Sequence, residues 1–359
     1  MLEFNGAMLR LARQFRGFQQ KELAERAHVD AAIISRAENG AVVPSEGVIR
    51  RLAQELNVPE TLFGFSFQPI GLPISYHPMW RKRQSVSQKE TDRVLADANM
   101  RGLHLRRLLP SVGFEPELTI PRIEPGEYEN NCREVARLVR RAWGMPAGPV
   151  GNLTEYVERA GIFVFHVDLE KNVDVDGLTL RLAGLPPVIV LNNRMPADRM
   201  RFSLAHELAH LVMHPVPTPE MEKQANEFAS ELLLPSNDLR GELVGRKVDL
   251  KLLAQLKPEW RVSMGALLYA AGQLRAIGPG QSQSLWRQYS ARGYKSSGEP
   301  PELNFPVEKP SLGAYLVRAH INELGYSFSE MTELLGLPED DLRAMYDLPM
   351  PRRGLRVVN

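Results

Sequence analysis

The segment from residue 201 to residue 214, RFSLAHELAHLVMH, is almost entirely apolar, yet it contains three histidines and a glutamate. Its apolar side chains recur at helical spacing, which predicts a helix that is packed on most of its sides. Ionisable groups in such a helix cost free energy unless they are hydrogen-bonded or bound to a metal. His206 and His210 are four residues apart. They therefore project from one face of the helix, side by side.

These residues form the pattern H-E-x-x-H, in which Glu207 follows the first histidine. A hydrolytic zinc site takes three protein ligands and keeps one position open for water. His206 and His210 would supply two of the ligands, and Glu207 would act as the catalytic general base that accepts a proton from the water. A buried polar cluster that binds no metal is the alternative interpretation.

We expect the third ligand on the next predicted helix, in PEMEKQANEFASELLLP. Glu222 is the candidate, and Glu220 competes with it. Asn226 lies four residues beyond Glu222 on the same helix face, from which its amide could hydrogen-bond a ligand histidine without touching the metal. His214, one turn beyond His210, is expected to be a helix-end or supporting group rather than a ligand.

Residues 1–66 have the pattern of short helices separated by tight turns. Two of these helices, QKELAERA and AAIISRAENG, are joined across the turn HVD, with the small Ala24 available where they cross. This spacing favours an all-α domain with a helix-turn-helix.

The stretch from QKELAERA to LAQELNV resembles the XRE, or lambda-repressor-like, DNA-binding domain over its full length. The residues that fall on the family's pattern are Ile34, Ser35, Glu38, Asn39, Gly40 and Pro44. The resemblance implies contact with DNA, and the sequence leaves open whether that DNA is double- or single-stranded. The residues we expect to make that contact are Gln20, Ala31, Ala32, Ser35 and Arg36.

Two features of this domain favour another use. The predicted recognition helix starts with Asp30, Ala31 and Ala32, where polar base-reading side chains are usual. Residues 1–65 also carry eight basic and eight acidic side chains, so the domain has no basic excess. A helical module for dimerisation or partner binding is therefore the alternative.

Residues 67–126 are predicted to be a transition or linker region. The stretch SFQPIGLPISYHP is rich in proline, which favours irregular structure. Residues 81–107 then carry eight basic against three acidic side chains. A solvated helix face is the usual explanation of such a run, and contact with double- or single-stranded nucleic acid is the alternative.

Residues 127–278 show a different pattern, that of an α+β domain. The stretches IFVFHV, VDGLTLRL and PPVIVLN are rich in β-branched and aromatic residues and predict three short strands. The H-E-x-x-H helix follows them, at residues 198–214. Residues 279–359 are predicted to be a helical C-terminal region.

RFSLAHELAHLVMH followed by EKQANEFASELLLP resembles the ImmA/IrrE family of metallopeptidases, as do the flanking stretches VIVLNN and VSMGALLYAAGQLRAIG. The resemblance covers residues 127–278 and implies a zincin-like domain with a small sheet and bound Zn²⁺. Together with the XRE-like domain, it makes the whole chain similar to XRE-ImmA/IrrE regulators. The family implies cleavage of a specific repressor. On this basis, the strand VIVLNN is expected to pair with an extended substrate by strand addition.

Cys132 is the only cysteine, so the chain cannot form an internal disulfide. We expect a cytoplasmic protein, with neither a signal peptide nor a membrane span. Because zinc binds sulfur well, Cys132 is also a candidate inhibitory zinc ligand that occupies the open position. The alternative is a small buried apolar residue.

The leading hypothesis is a zinc metalloendopeptidase coupled to a DNA-binding module. Its protein substrate would be a small helix-turn-helix repressor or antitoxin, cleaved under stress such as DNA damage or phage infection. A homodimer is a candidate assembly. The rival hypothesis is a DNA-binding regulator or antitoxin without proteolytic activity, in which the zinc fold serves as a sensor or scaffold. The intact H-E-x-x-H pattern with Glu222 favours the enzyme.

Overall fold

The computed structural model describes residues 3–71, 88–168 and 176–349. Residues 81–87, the first part of the basic run, lie outside them. Within the described part of the chain, no helix is both long enough and apolar enough to cross a membrane.

The N-terminal domain consists of short helices with well-defined caps. They are α1 (Gly6–Phe15), α2 (Gln20–Arg26), α3 (Ala31–Glu38) and α4 (Glu46–Leu56), followed by a 3₁₀ turn at Glu60–Gly64. The side chains of Asn5 and Asp30 cap α1 and α3. Helix α1 crosses α3 at Gly6, where a Cβ atom would come within 2.0 Å of the Ala37 carbonyl oxygen. The predicted all-α helix-turn-helix fold is confirmed.

The region predicted to be a linker contains a long buried helix, α5 (Gln88–Leu108). Its His104 is fully buried and Arg101 nearly so. Lys89, Arg93 and Arg106 of the same helix are exposed, so the solvated basic face predicted from the sequence is present in part. Two other arginines of the helix stack on aromatic rings instead: the guanidinium carbon of Arg101 lies 4.4 Å from the ring centre of Phe165, and that of Arg107 lies 3.9 Å from Phe65.

Helices and a small sheet form the rest of the chain. The helices are α6 (Cys132–Ala142), α7 (Leu153–Arg159), α8 (Ala197–Met213), α9 (Met221–Leu233), α10 (Ser236–Leu243), α11 (Leu250–Trp260), α12 (Met264–Gln273), α13 (Pro279–Ala291), α14 (Leu312–Asn322), α15 (Phe328–Leu335) and α16 (Glu339–Met345). The strands are β1 (Phe163–Val167), β2 (Gly177–Leu180) and β3 (Val188–Asn192). All three strands and the H-E-x-x-H helix lie where the sequence predicts them.

Strand β3 lies in the middle of the sheet. The strand order is β1-β3-β2, with β1 parallel and β2 antiparallel to β3. Both sides of β3 are therefore already hydrogen-bonded, so VIVLNN cannot accept a substrate strand, and that expectation is wrong. Among the described residues, β2 lies at an edge of the sheet, and it also packs against α8.

The two faces of the sheet belong to different hydrophobic cores. Val164, Ile189 and Leu191 face a core that is shared with α8 and α9. The opposite face contributes to the core of the helix-turn-helix domain, α5 and the last three helices, through Phe163, Phe165, Leu178, Leu180, Val188 and Val190. At Gly102, α5 approaches Leu182 so closely that a Cβ atom would lie 2.2 Å from the leucine Cδ1. The N-terminal domain is thus packed onto the sheet through α5.

Buried ion pairs hold the first turns of α8. Lys257 Nζ lies 2.5 Å from Asp198 and 2.7 Å from Glu299. One turn along the helix, Arg201 pairs with Glu308. Glu299 and Glu308 both belong to the segment between α13 and α14. This segment therefore fixes the start of the H-E-x-x-H helix.

Candidate metal centre

Three side chains from two neighbouring helices meet beside the sheet. His206 and His210 extend from α8, and Glu222 extends from the first turn of α9. The two Nε2 atoms are 3.1 Å apart, and the Glu222 oxygens lie 3.4 Å from that of His206 and 3.5 Å from that of His210. The competing candidate, Glu220, is exposed at the start of α9 and is not part of this cluster.

Both carboxylate oxygens of Glu222 are buried and have no hydrogen-bond partner. Burial of an unpaired carboxylate costs several kcal/mol, and a bound cation removes that cost. Two imidazole nitrogens and one carboxylate form a donor set that suits Zn²⁺ and leaves a fourth position open. The residues present therefore fit a zinc ion.

The other ring nitrogen of each histidine has a partner. His206 Nδ1 lies 3.1 Å from Asn226 Oδ1, the contact predicted from the sequence. His210 Nδ1 lies 3.0 Å from Nδ1 of His214, whose Nε2 in turn lies 3.1 Å from Gln224 Oε1. Sequence reasoning missed Gln224. The signal available was its place between Glu222 and Asn226 in one short polar stretch.

Glu207 is buried on α8 and is held from the sheet. The Thr179 hydroxyl on β2 donates a 2.7 Å hydrogen bond to Glu207 Oε2. Sequence reasoning also missed Thr179, because the contact joins residues 28 positions apart. The only local signal was a polar side chain within the apolar strand GLTL.

Burial lowers the pKa of His210 well below its ordinary value, and the neighbouring His206, His214 and Arg181 lower it further. Burial also lowers the pKa of His206, but the nearby carboxylates of Glu222 and Glu207 outweigh that effect, so its pKa is raised overall. A low pKa at His210 suits a metal ligand, which must be neutral.

Two family models match the chain. A helix-turn-helix domain matches residues 6–63, and the IrrE N-terminal-like domain of a peptidase family matches residues 157–271. The chain joins a helix-turn-helix domain to an IrrE N-terminal-like domain. The second match contains the sheet, Glu207 and all three residues of the cluster, so the cluster belongs to a peptidase-like domain. No curated protein matches the chain.

Cys132 lies away from the histidine–glutamate cluster of the IrrE N-terminal-like domain. It is the first residue of α6, fully buried in the core, and its thiol donates to the Asn130 carbonyl oxygen at 3.6 Å. Burial, together with the charge of Glu227, raises the pKa of the thiol to about 11. The structure therefore places a neutral, packed thiol at this position and does not bring it to the predicted zinc ligands.

The five predicted DNA contacts of the helix-turn-helix domain differ in exposure. Ala32 and Arg36 are exposed on α3, whereas Ala31 and Ser35 are half-buried. The Gln20 amide donates to Glu38 at 2.8 Å, and Glu38 also pairs with Arg13. Gln20 thus satisfies a buried carboxylate within the domain, and Arg36 is the charged candidate that faces solvent.

Proposed function

We propose that the chain is a zinc-dependent endopeptidase coupled to a DNA-binding module. The observation that carries the proposal is the buried carboxylate of Glu222, which has no hydrogen-bond partner and lies between two imidazole nitrogens. His206, His210 and Glu222 would hold the metal. Bound zinc polarises a peptide carbonyl and makes water a better nucleophile near neutral pH.

Glu207 has the position of a general base. It lies next to a ligand histidine on α8, and its charge acts on His206. Its carboxylate would accept a proton from water and return it to the leaving amine. A regulator without proteolytic activity needs no such group, so the buried, hydrogen-bonded carboxylate favours the enzyme.

The substrate chain would bind along β2. This strand lies at an edge of the sheet among the described residues, and its Thr179 contacts Glu207. An extended peptide that pairs with this edge would lie beside the base, with main-chain hydrogen bonds providing affinity. We therefore propose that the substrate pairs with β2, and not with β3 as the sequence predicted.

We propose a small helix-turn-helix repressor or antitoxin as the substrate, cleaved in response to DNA damage or phage infection. The helix-turn-helix domain of this chain supports that choice, since it would bring the peptidase to the DNA on which a repressor is bound. Modules of this kind commonly bind two half-sites as dimers, so the proposal includes a homodimer.

The test combines zinc analysis with cleavage of small repressors encoded beside the gene. Glu207→Gln should keep zinc and lose about 10²–10⁴-fold in cleavage rate, because the base is removed and the ligands remain. His210→Ala should lose zinc, as measured by elemental analysis of the purified protein. Unchanged cleavage by Glu207→Gln, or full zinc content in His210→Ala, would overturn the proposal.

A further inference from the structure

Helix α9 contacts three histidines of α8 with three different side chains. Glu222 faces His206 and His210, Asn226 contacts His206, and Gln224 contacts His214. We propose that Gln224 and His214 form a hydrogen-bond relay that fixes the tautomer and the ring orientation of His210, and that Gln224 is thus a positioning residue. This inference rests on the proposed zinc site.

The orientation of the Gln224 amide sets the direction of the hydrogen bonds between Gln224, His214 and His210. Its Oε1 can only accept, so His214 Nε2 must carry a hydrogen. In the tautomer with its single ring hydrogen on Nε2, His214 has a lone pair on its Nδ1. His210 Nδ1, 3.0 Å away, must then donate. As a result, His210 Nε2 presents its lone pair to Glu222 and His206.

The opposite orientation of the Gln224 amide gives the opposite result. An amide nitrogen facing His214 would donate to its Nε2, and His214 Nδ1–H would then donate to His210. A hydrogen would be left on His210 Nε2, where the metal must bind. The orientation of the Gln224 amide in the structure is therefore the one that favours His210 as a ligand.

The two ligand histidines are held unequally. His206 has a single supporting contact with Asn226, which is exposed to water. His210 depends on His214, and both residues are only 3% exposed. Water can replace a lost partner for His206 more easily than for His210. The relay should therefore matter more for zinc affinity than the Asn226 contact.

The test compares two replacements of Gln224 in the full chain. Gln224→Glu keeps an acceptor and the length of the side chain, whereas Gln224→Met keeps the length and removes the acceptor. Zinc affinity is measured by competition of the zinc-free protein with a chromophoric chelator. Gln224→Met should bind zinc about 10–100-fold more weakly than the parent, and Gln224→Glu should match the parent or bind more tightly. Lys223→Met, at an exposed neighbouring position, is the matched control.

Equal zinc affinity of the parent and Gln224→Met, or an equal loss in both Gln224 variants, would overturn the relay. In that case the proposed function would still hold if the parent protein binds zinc and cleaves its substrate. A parent that binds no zinc would overturn both.

A second measurement does not depend on the folding of any variant. Long-range ¹H–¹⁵N spectra of the zinc-loaded parent report which ring nitrogen carries a hydrogen. We expect hydrogen on His210 Nδ1 and on His214 Nε2. Hydrogen on His214 Nδ1 would contradict the relay.

Discussion

The Thr179 hydroxyl donates a 2.7 Å hydrogen bond to Glu207 Oε2 and so ties the edge strand β2 to the H-E-x-x-H helix. Both residues are buried. The candidate base therefore takes its orientation from the sheet as well as from its own helix. It follows that a change on the strand should affect proton transfer without affecting the metal ligands.

Thr179→Val replaces the hydroxyl by a methyl group of similar size. We expect the cleavage rate to fall about 10–100-fold, because a hydrogen bond to a charged group contributes roughly 1.5–3 kcal/mol. Zinc content should stay the same. Thr179→Ser keeps the hydroxyl and is the control. Parent-like activity of Thr179→Val, or loss of its zinc, would contradict this role.

Cys132→Ala should leave both zinc content and basal proteolysis unchanged, because the thiol lies in the core and donates to the Asn130 carbonyl. Removal of the sulfur should lower the free energy of unfolding by about 1 kcal/mol through lost packing. Thermal unfolding and peptidase assays without any inducing signal measure the two effects. A rise in basal proteolysis would support the inhibitory-ligand hypothesis instead.

His104 should make stability depend on pH. Burial, then the charge of Arg101, lowers its pKa to about 3 in the folded chain, from the ordinary histidine value of 6.5. Between these values the unfolded chain binds a proton that the folded chain does not. The free energy of unfolding should therefore fall as the pH drops below 6.5, by up to about 1.4 kcal/mol per pH unit.

Denaturant unfolding at several pH values checks this prediction. The free energy of unfolding of His104→Gln should depend less steeply on pH than that of the parent. Other groups, such as His166, contribute equally to both proteins, so subtracting one pH profile from the other isolates the contribution of His104. His28→Asn, at an exposed position, controls for the replacement of a histidine. Parallel pH profiles for the parent and His104→Gln would show that the prediction is wrong.

Arg36→Gln should weaken binding to double-stranded DNA and reduce its salt dependence by roughly one phosphate contact, because Arg36 is an exposed charge on α3. Binding is measured by fluorescence anisotropy over a range of salt concentrations. Arg50→Gln, at an exposed arginine of α4 that pairs with Glu60, is the control. If the parent binds no DNA at low salt, the domain serves a protein partner instead.

Local patterns were sufficient for the three strands, the H-E-x-x-H helix and most of the cluster. His206 could be paired with His210, and Glu222 with Asn226, because helical spacing determines which residues of one helix share a face. Strand order could not be predicted, since β2 and β1 pair with β3 through long-range contacts that no local pattern specifies. Thr179 was missed for the same reason.

The sequence could not predict which basic side chains of α5 are exposed, because charge alone does not specify the surroundings of a side chain. Arg101 and Arg107 carry the same charge as solvated arginines, but each stacks on an aromatic ring that is distant in sequence. Gln224 was missed because its role depends on His214, which contacts it across a turn between two helices.

The second face of the sheet has a practical consequence for anyone who wishes to isolate the peptidase. A fragment of residues 127–278 would lack α5 and the last three helices, so Phe163, Phe165 and Val190 would lose the core in which they are buried. A bare apolar sheet face of this kind promotes aggregation. The minimal unit that can be purified in working form is therefore larger than the peptidase-like region, and it must include α5 together with α14, α15 and α16.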